Sequence, residues 1–234
     1  MKNSVLVSSK ISEKCAKSLE NRGFELIKVP ENASFDGPVS AHPDIFAFVI
    51  DNNIVCHREI KHLFEKMQGN YKITEARDFG KAEKCLYPDD CGLNFALCGD
   101  KLIGKQKCAD QKIKEIVEKY NLKIFDVNQG YAKCNICIVD GNSIITEDKG
   151  IYKKCTLAGM DVLLLEKYEV NLEGYKNGFI GGASGLYNKT LYFCGNIQAH
   201  GEYEKIYNFC SSKGISVVSL SDEPLCDCGS LIFI

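Results

Sequence analysis

Residues 45–50, Ile-Phe-Ala-Phe-Val-Ile, run into the turn Asp51-Asn52-Asn53 and then into Ile54-Val55-Cys56. Two apolar runs of strand length meeting at a tight polar turn read as an antiparallel hairpin. Ile60, Leu63, Phe64 and Met67 follow at helical spacing, and residues 71–74 form another strand-like run. The unit is therefore strand, strand, helix, strand.

The same unit recurs along the chain. Its hairpin turns are Gly99-Asp100, Asp140-Gly141-Asn142 and Asn188-Lys189, each between two apolar runs. Their first strands are read at 93–98, 135–139 and 183–187, and the second at 102–103, 143–146 and 191–194. Helices are read from Ile113, Ile116, Val117 and Tyr120, then around 150–157 and at Tyr203–Ser212. Units of this length that repeat describe an array of supersecondary blocks rather than an ordinary mixed sheet.

The two ends complete the count. Residues 229–234, Gly-Ser-Leu-Ile-Phe-Ile, supply a first strand with no second strand after it. Ser4–Ser8 supplies a second strand with no first, followed by a helix at Glu13–Asn21 capped by Ser12 and a closing strand at 24–29. An open arrangement would leave an apolar C-terminal edge strand exposed to aggregation. The expectation is a ring of five ββαβ units closed by pairing of the N- and C-terminal strands, forming one domain over residues 1–234.

Bulk composition narrows the function classes. The 234 residues are 45% hydrophobic and 26% charged with a net charge of −2, and Lys and Asp/Glu are intermixed. No basic patch is readable that would favour nucleic acid or an anionic membrane surface. No apolar run approaches the roughly 20 residues that span a bilayer, and Met1-Lys2-Asn3-Ser4 leads straight into a strand, so no signal peptide is expected. Thirteen cysteines, an odd number in a chain of this size, fit a reducing cytoplasmic setting with free thiols better than a disulfide framework. The partner expected is a small-molecule substrate or ligand, with no nucleic acid, no membrane and no cofactor; oligomeric state is not readable.

In such a ring the segments leading into the first strands gather at one end of a central channel. They are 41–44, 88–92, 130–134, 176–182 and 225–230. Together they carry His42, Asp44, Asp89, Asp90, Lys133, Cys134, Asn177, Asp227 and Cys228. Thiols, an imidazole and carboxylates are the inventory for nucleophilic attack on an amidine carbon: a thiolate attacks, His moves protons, and carboxylates hold the cation. Cys134-Asn-Ile-Cys137 has Cys-x-x-Cys spacing but runs into a strand, where residues three apart face opposite sides, so no metal is expected there. The glycine cluster at 178–185 lacks a Gly-Lys-Ser/Thr ending and is read as close backbone approach at a pocket wall, not as a phosphate loop. Its neighbour Asn177 is a candidate ligand contact because its amide both donates and accepts. His200 is read as structural, at a helix start.

A five-bladed β/α propeller of ββαβ units resembles the pentein superfamily of guanidino-group-modifying enzymes, which includes arginine deiminases, dimethylarginine hydrolases, agmatine deiminases and amidinotransferases. Residues 130–185 look like a bacterial branch of it. Cys228-Gly229-Ser230 resembles the Cys-x-Ser that carries the catalytic thiol in those enzymes, and His42-Pro43-Asp44 resembles their His-x-Asp. The resemblance implies Cys228 as nucleophile, His42 as acid/base and Asp44 as a substrate carboxylate, with Asp89, Asp90, Lys133, Asn177 and Asp227 as substrate contacts. It implies an amidino- or guanidino-group hydrolase or transferase acting on a small cationic metabolite. The residues also depart from that pattern. Pro224-Leu225-Cys226-Asp227 replaces a glycine-rich lead-in, and no arginine lies in the five segments to grip a carboxylate bidentately. A non-catalytic member of the superfamily binding a small ligand or a partner protein is the alternative.

Overall fold

The computed structural model describes residues 3–67, 69–76 and 84–234. Its strands fall into five separate three-stranded sheets, each built alike. In one, β3 (Ala47–Ile50) pairs antiparallel with β4 (Asn53–Cys56), which pairs parallel with β5 (Lys72–Glu75) after a 3₁₀ crossover at Arg58–Met67. The next holds β6 (Ala96–Cys98), β7 (Lys101–Gly104), helix α3 (Gln111–Tyr120) and β8 (Lys123–Asp126). Then come β9 (Ile136–Ile138), β10 (Ser143–Thr146), α5 (Lys149–Leu157) and β11 (Asp161–Leu164). The fourth holds β12 (Ser184–Tyr187), β13 (Thr190–Phe193), α6 (Tyr203–Ser212) and β14 (Ser216–Ser219).

The fifth sheet joins the ends of the chain as expected. β15 (Ile232–Phe233) lies antiparallel to β1 (Ser4–Ser8), with Val5 opposite Phe233 and Leu6 opposite Ile232. β1 in turn pairs parallel with β2 (Glu25–Val29) across α1 (Glu13–Asn21). The Ser12 hydroxyl accepts from the Cys15 backbone N–H, the N-cap read from sequence. The Asn188-Lys189 turn has positive φ at both residues, 44° and 58°, the conformation that lets a two-residue hairpin follow strand twist.

The first strands start later than hydrophobicity suggested. Residues 45–46 belong to a helical turn, α2 (Pro43–Phe46), and residue 135 ends another, α4 (Ala132–Asn135). Asp89–Cys91 forms a 3₁₀ turn in the equivalent place. Burial alone cannot separate a buried helical turn from a buried strand, because both read as continuous apolar sequence. Two of these turns position polar side chains ahead of the strands: α2 carries Asp44, and α4 carries Lys133 and Cys134.

Apolar clusters fill the seams between units. One joins β9–β11 to β12–β14 through Cys137, Ile145, Leu191 and Phe193, all fully buried. Another ties Leu6 to Ile45, Phe46, Ile54 and Phe64, across the junction of the terminal sheet and the next unit. No helix among the described residues is long and apolar enough to cross a membrane.

Candidate functional site

A cavity of about 280 Å³ runs through the middle of the ring. First-strand residues from all five sheets line it, among them Phe48, Leu97, Ile138, Leu186 and Phe233, and Asp44, Lys133 and Ser184 add polar groups. Beside it the lead-in segments converge.

The segment before β3 delivers His42 and Asp44, both buried. The turn before β9 delivers Lys133 and Cys134, and the segment before β15 delivers Asp227 and Ser230. Cys134 Sγ donates to Asp44 Oδ2 at 3.0 Å, and Ser230 Oγ lies 2.7 Å from the same oxygen. Lys133 Nζ donates to Ser230 Oγ at 2.9 Å, so the ammonium reaches Asp44 through one hydroxyl. Asn94 locks this corner: its amide donates to Asp44 O at 3.2 Å, and its oxygen accepts from Lys133 N at 2.7 Å.

Asp227 occupies a backbone cradle. Its Oδ1 accepts from Gly229 N at 3.0 Å and its Oδ2 from Phe179 N at 3.0 Å. The glycine cluster makes the room. A Cβ on Gly182 would sit 2.0 Å from Asp227 Oδ1, and one on Gly178 would sit 2.5 Å from Asp227 Cβ. His42 Nδ1 stands 3.8 Å from Asp227 Oδ1. One nitrogen, sulfur and oxygen from His42, Cys134 and Asp227 all lie within 4.8 Å of one another.

The electrostatics keep the thiol and the imidazole of this cluster uncharged at rest. Burial pushes the Cys134 thiol well up, and Asp44 and Asp227 add to the shift. Burial pushes His42 down, against the pull of Asp44. Burial raises Asp227 to about 6, tempered by the two backbone N–H donors and by Lys133. The resting pair is therefore a thiol and a neutral imidazole. His42 Nδ1 and Asp44 Oδ1 are buried with no hydrogen-bond partner among the described residues, which is costly unless something else supplies one.

The other expected residues are spread more widely. Cys228 lies between Asp227 and Gly229, but its sulfur turns out of the channel to stand 3.1 Å from Cys194 Sγ. Asp90 is buried and accepts from Tyr131 Oη at 2.5 Å; burial raises it to about 6. Asp89 is exposed and borders a separate cleft with Lys105 and Lys107. Asn177 is half-buried, and its amide donates to the neighbouring Gly178 O. His200 is buried at the start of α6, where Nδ1 accepts from Glu202 N at 3.1 Å.

Sequence reasoning gave Asn94 and Ser230 no role, and it placed Cys134 among the converging thiols and in a Cys-x-x-Cys pair without assigning it the nucleophile's part. Cys134 carried one usable signal, its place in the lead-in segment 130–134 beside Lys133. Asn94 carried none, since a single Asn inside an apolar run gives no periodicity to read.

A family model described as "Family of unknown function (DUF6873)" matches residues 6–232. No curated protein matches the sequence. Solved structures share the whole architecture at low identity. The agmatine deiminase of C. jejuni superposes with a TM-score of 0.57 at 11% identity, covering 99% of this chain and 93% of that one. The amidinotransferase SxtG of Microseira wollei, from the saxitoxin biosynthetic pathway, gives 0.57 at 14% identity over 94% and 88%. A dimethylarginine dimethylaminohydrolase gives 0.54 at 12% identity over 95% and 93%. At these identities the likeness establishes the five-bladed fold.

Proposed function

We propose, for a chain that belongs to the family of unknown function DUF6873 and carries the pentein fold, that it modifies an amidine or guanidine group through a covalent thiol adduct. The observation that carries this reading is the convergence of Cys134, His42, Asp44 and Asp227 beside the central cavity. The two unpartnered buried atoms, His42 Nδ1 and Asp44 Oδ1, support it. An amidinium offers N–H donors to carboxylate oxygens and brings a positive charge between two carboxylates.

The chemistry follows from charge. A buried thiol beside carboxylates stays protonated, but a bound cation offsets those charges and draws the thiol toward thiolate. Cys134 then attacks the amidine carbon, and its proton passes to His42. Collapse of the tetrahedral adduct breaks a C–N bond, and His42 returns the proton to the departing amine. Water, or a second amine in a transferase, releases the group from sulfur. We assign the nucleophile to Cys134 rather than to Cys228, because the Cys228 sulfur faces Cys194.

The test is release of ammonia or amine from agmatine, arginine, methylated arginines and simple alkyl amidines. The expected result is turnover of at least one, lost by about a thousandfold or more in Cys134→Ser and kept in Cys228→Ser. Unchanged substrates throughout, or loss in Cys228→Ser alone, would overturn the assignment. A ligand-binding role without turnover is favoured by one feature, the depth of His42, Cys134 and Asp227, each at most 3% exposed. That reading predicts a raised melting temperature with a cationic amidine and no product.

A further inference from the structure

Cysteines that the amidine chemistry does not use gather at a second place. Cys15 lies in the first turn of α1, Cys194 directly after β13, and Cys228 in the segment before β15. Cys194 stands 3.1 Å from Cys228. Cys15 Sγ lies 3.4 Å from Ser221 Oγ as well. A small pocket of about 70 Å³ touches all three cysteines together with Ser12, Ser221 and the exposed Cys226.

We propose that Cys15, Cys194 and Cys228 form a thiol-oxidation site for a small hydroperoxide, with Cys15 reacting first and a Cys194–Cys228 disulfide as the end product. The Cys15 thiolate attacks one oxygen of the hydroperoxide. The O–O bond breaks, the alcohol (or water, from hydrogen peroxide) leaves with a proton, and Cys15 becomes a sulfenic acid. The Cys194 thiol attacks that sulfur, forming a Cys15–Cys194 disulfide and releasing water. Cys228, deprotonated as it attacks, displaces Cys15 from the Cys194 sulfur, and Cys15 leaves as a thiolate. Overall two thiols lose two electrons and two protons, and one hydroperoxide becomes alcohol and water.

Each step has a structural reason. Hydrogen bonding from Cys194, with further help from Ser12, Ser221 and Gly195, holds the Cys15 thiol down near 6 against the effect of burial. A helix N-terminus acts in the same direction. Such a thiol is both largely ionised near neutrality and a good leaving group in exchange. Burial instead pushes Cys56, Cys98 and Cys210 up to about 12, and Cys15 and Cys228 push Cys194 well up, so Cys15 rather than Cys194 holds the thiolate that meets the hydroperoxide. The final bond needs only about 1 Å of approach, since a disulfide spans about 2.05 Å. It would tether the segment carrying Asp227 and Gly229 to the neighbouring blade. The inference does not depend on Cys134 acting as a nucleophile.

The experiment uses the full chain with Cys226→Ser, so that the C-terminal peptide carries a single thiol. Reduced protein is treated with a few equivalents of hydrogen peroxide or tert-butyl hydroperoxide, alkylated, digested without reductant and mapped by mass spectrometry. The expected product is a cross-link between the Cys194 and Cys228 peptides, formed ahead of any other. Cys15→Ser, or Cys15→Ala where serine disturbs folding, slows it about tenfold or more. Cys194→Ser removes the cross-link and leaves oxygen on Cys15. Cross-linking at the parent rate without Cys15 overturns the proposal, as does a dominant cross-link elsewhere or three thiols that stay reduced.

Discussion

Asp227 Oδ1 faces His42 Nδ1 at 3.8 Å, close but not hydrogen-bonded, because the carboxylate already serves two backbone N–H groups on opposite sides. An amide in its place offers one acceptor and turns two N–H donors toward one of those groups. Asp227→Asn is therefore expected to cost about 1–3 kcal/mol, the penalty for leaving a buried donor unpaired. Urea unfolding near neutral pH measures it. An unshifted midpoint would show that the cradle does not depend on the carboxylate.

Gly229 is bound to His42 by shape. Its φ is 75°, and a Cβ there would fall 2.3 Å from His42 Cβ. Gly229→Ala meets both penalties, the strained backbone at about 1–2 kcal/mol and overpacking at about 1–3 kcal/mol. The expected outcome is a marked drop in melting temperature. Any amidine turnover should fall further than that stability loss explains, since the imidazole must move. Alanine tolerated without change in either measurement would contradict the packing described.

Much of this was legible because the repeat is periodic. The turn Asp51-Asn52-Asn53 and its counterparts marked four hairpins, and the unmatched runs at 4–8 and 229–234 implied the fifth sheet, which β1 and β15 form. The lead-in segments were also legible as the place where His42, Asp44, Lys133 and Asp227 meet. What sequence could not supply was the direction of side chains within those segments. Asp227 and Cys228 are adjacent, yet one accepts from Phe179 N and the other faces Cys194. That alternation depends on backbone conformation around Gly229, which has no signature in the residue types. Asn94 and Ser230 were invisible for the same reason, being defined by long-range hydrogen bonds.

Phe233 anchors the junction of the chain ends. Its ring lies 5.0 Å from Phe24, 5.1 Å from Tyr187 and 5.6 Å from Tyr192, and it also lines the central cavity. Phe→Ala in a packed cluster costs about 3–5 kcal/mol, and partial exposure here points to the lower end. Phe233→Ala should lower stability by about 3 kcal/mol, whereas Phe233→Leu should recover part of the loss. If both unfold at the parent denaturant midpoint, the terminal sheet contributes less than its contacts imply.

Glu147 tests the electrostatics away from the reacting groups. It is buried after β10; Oε2 accepts from Ile180 N at 3.1 Å, and Oε1 has no partner among the described residues. Burial raises it to about 7, with Asp227 and Glu202 adding to the shift. An unfolded Glu titrates near 4.3. Between those values the native state holds a proton that the unfolded state has released, so stability falls as pH rises through the window. Asp227 and Asp90, raised to about 6, act in the same direction over its lower part. His42, held low by burial, acts oppositely below its usual range, because protonation there favours the unfolded chain. The pH profile of the parent protein is therefore a composite, and the difference from Glu147→Gln isolates one group. Glutamine keeps the acceptor for Ile180 and cannot ionise. Its melting temperature relative to the parent should climb between about pH 5 and about pH 8 and then level off. A difference that stays constant with pH would mean that Glu147 titrates as an ordinary carboxyl.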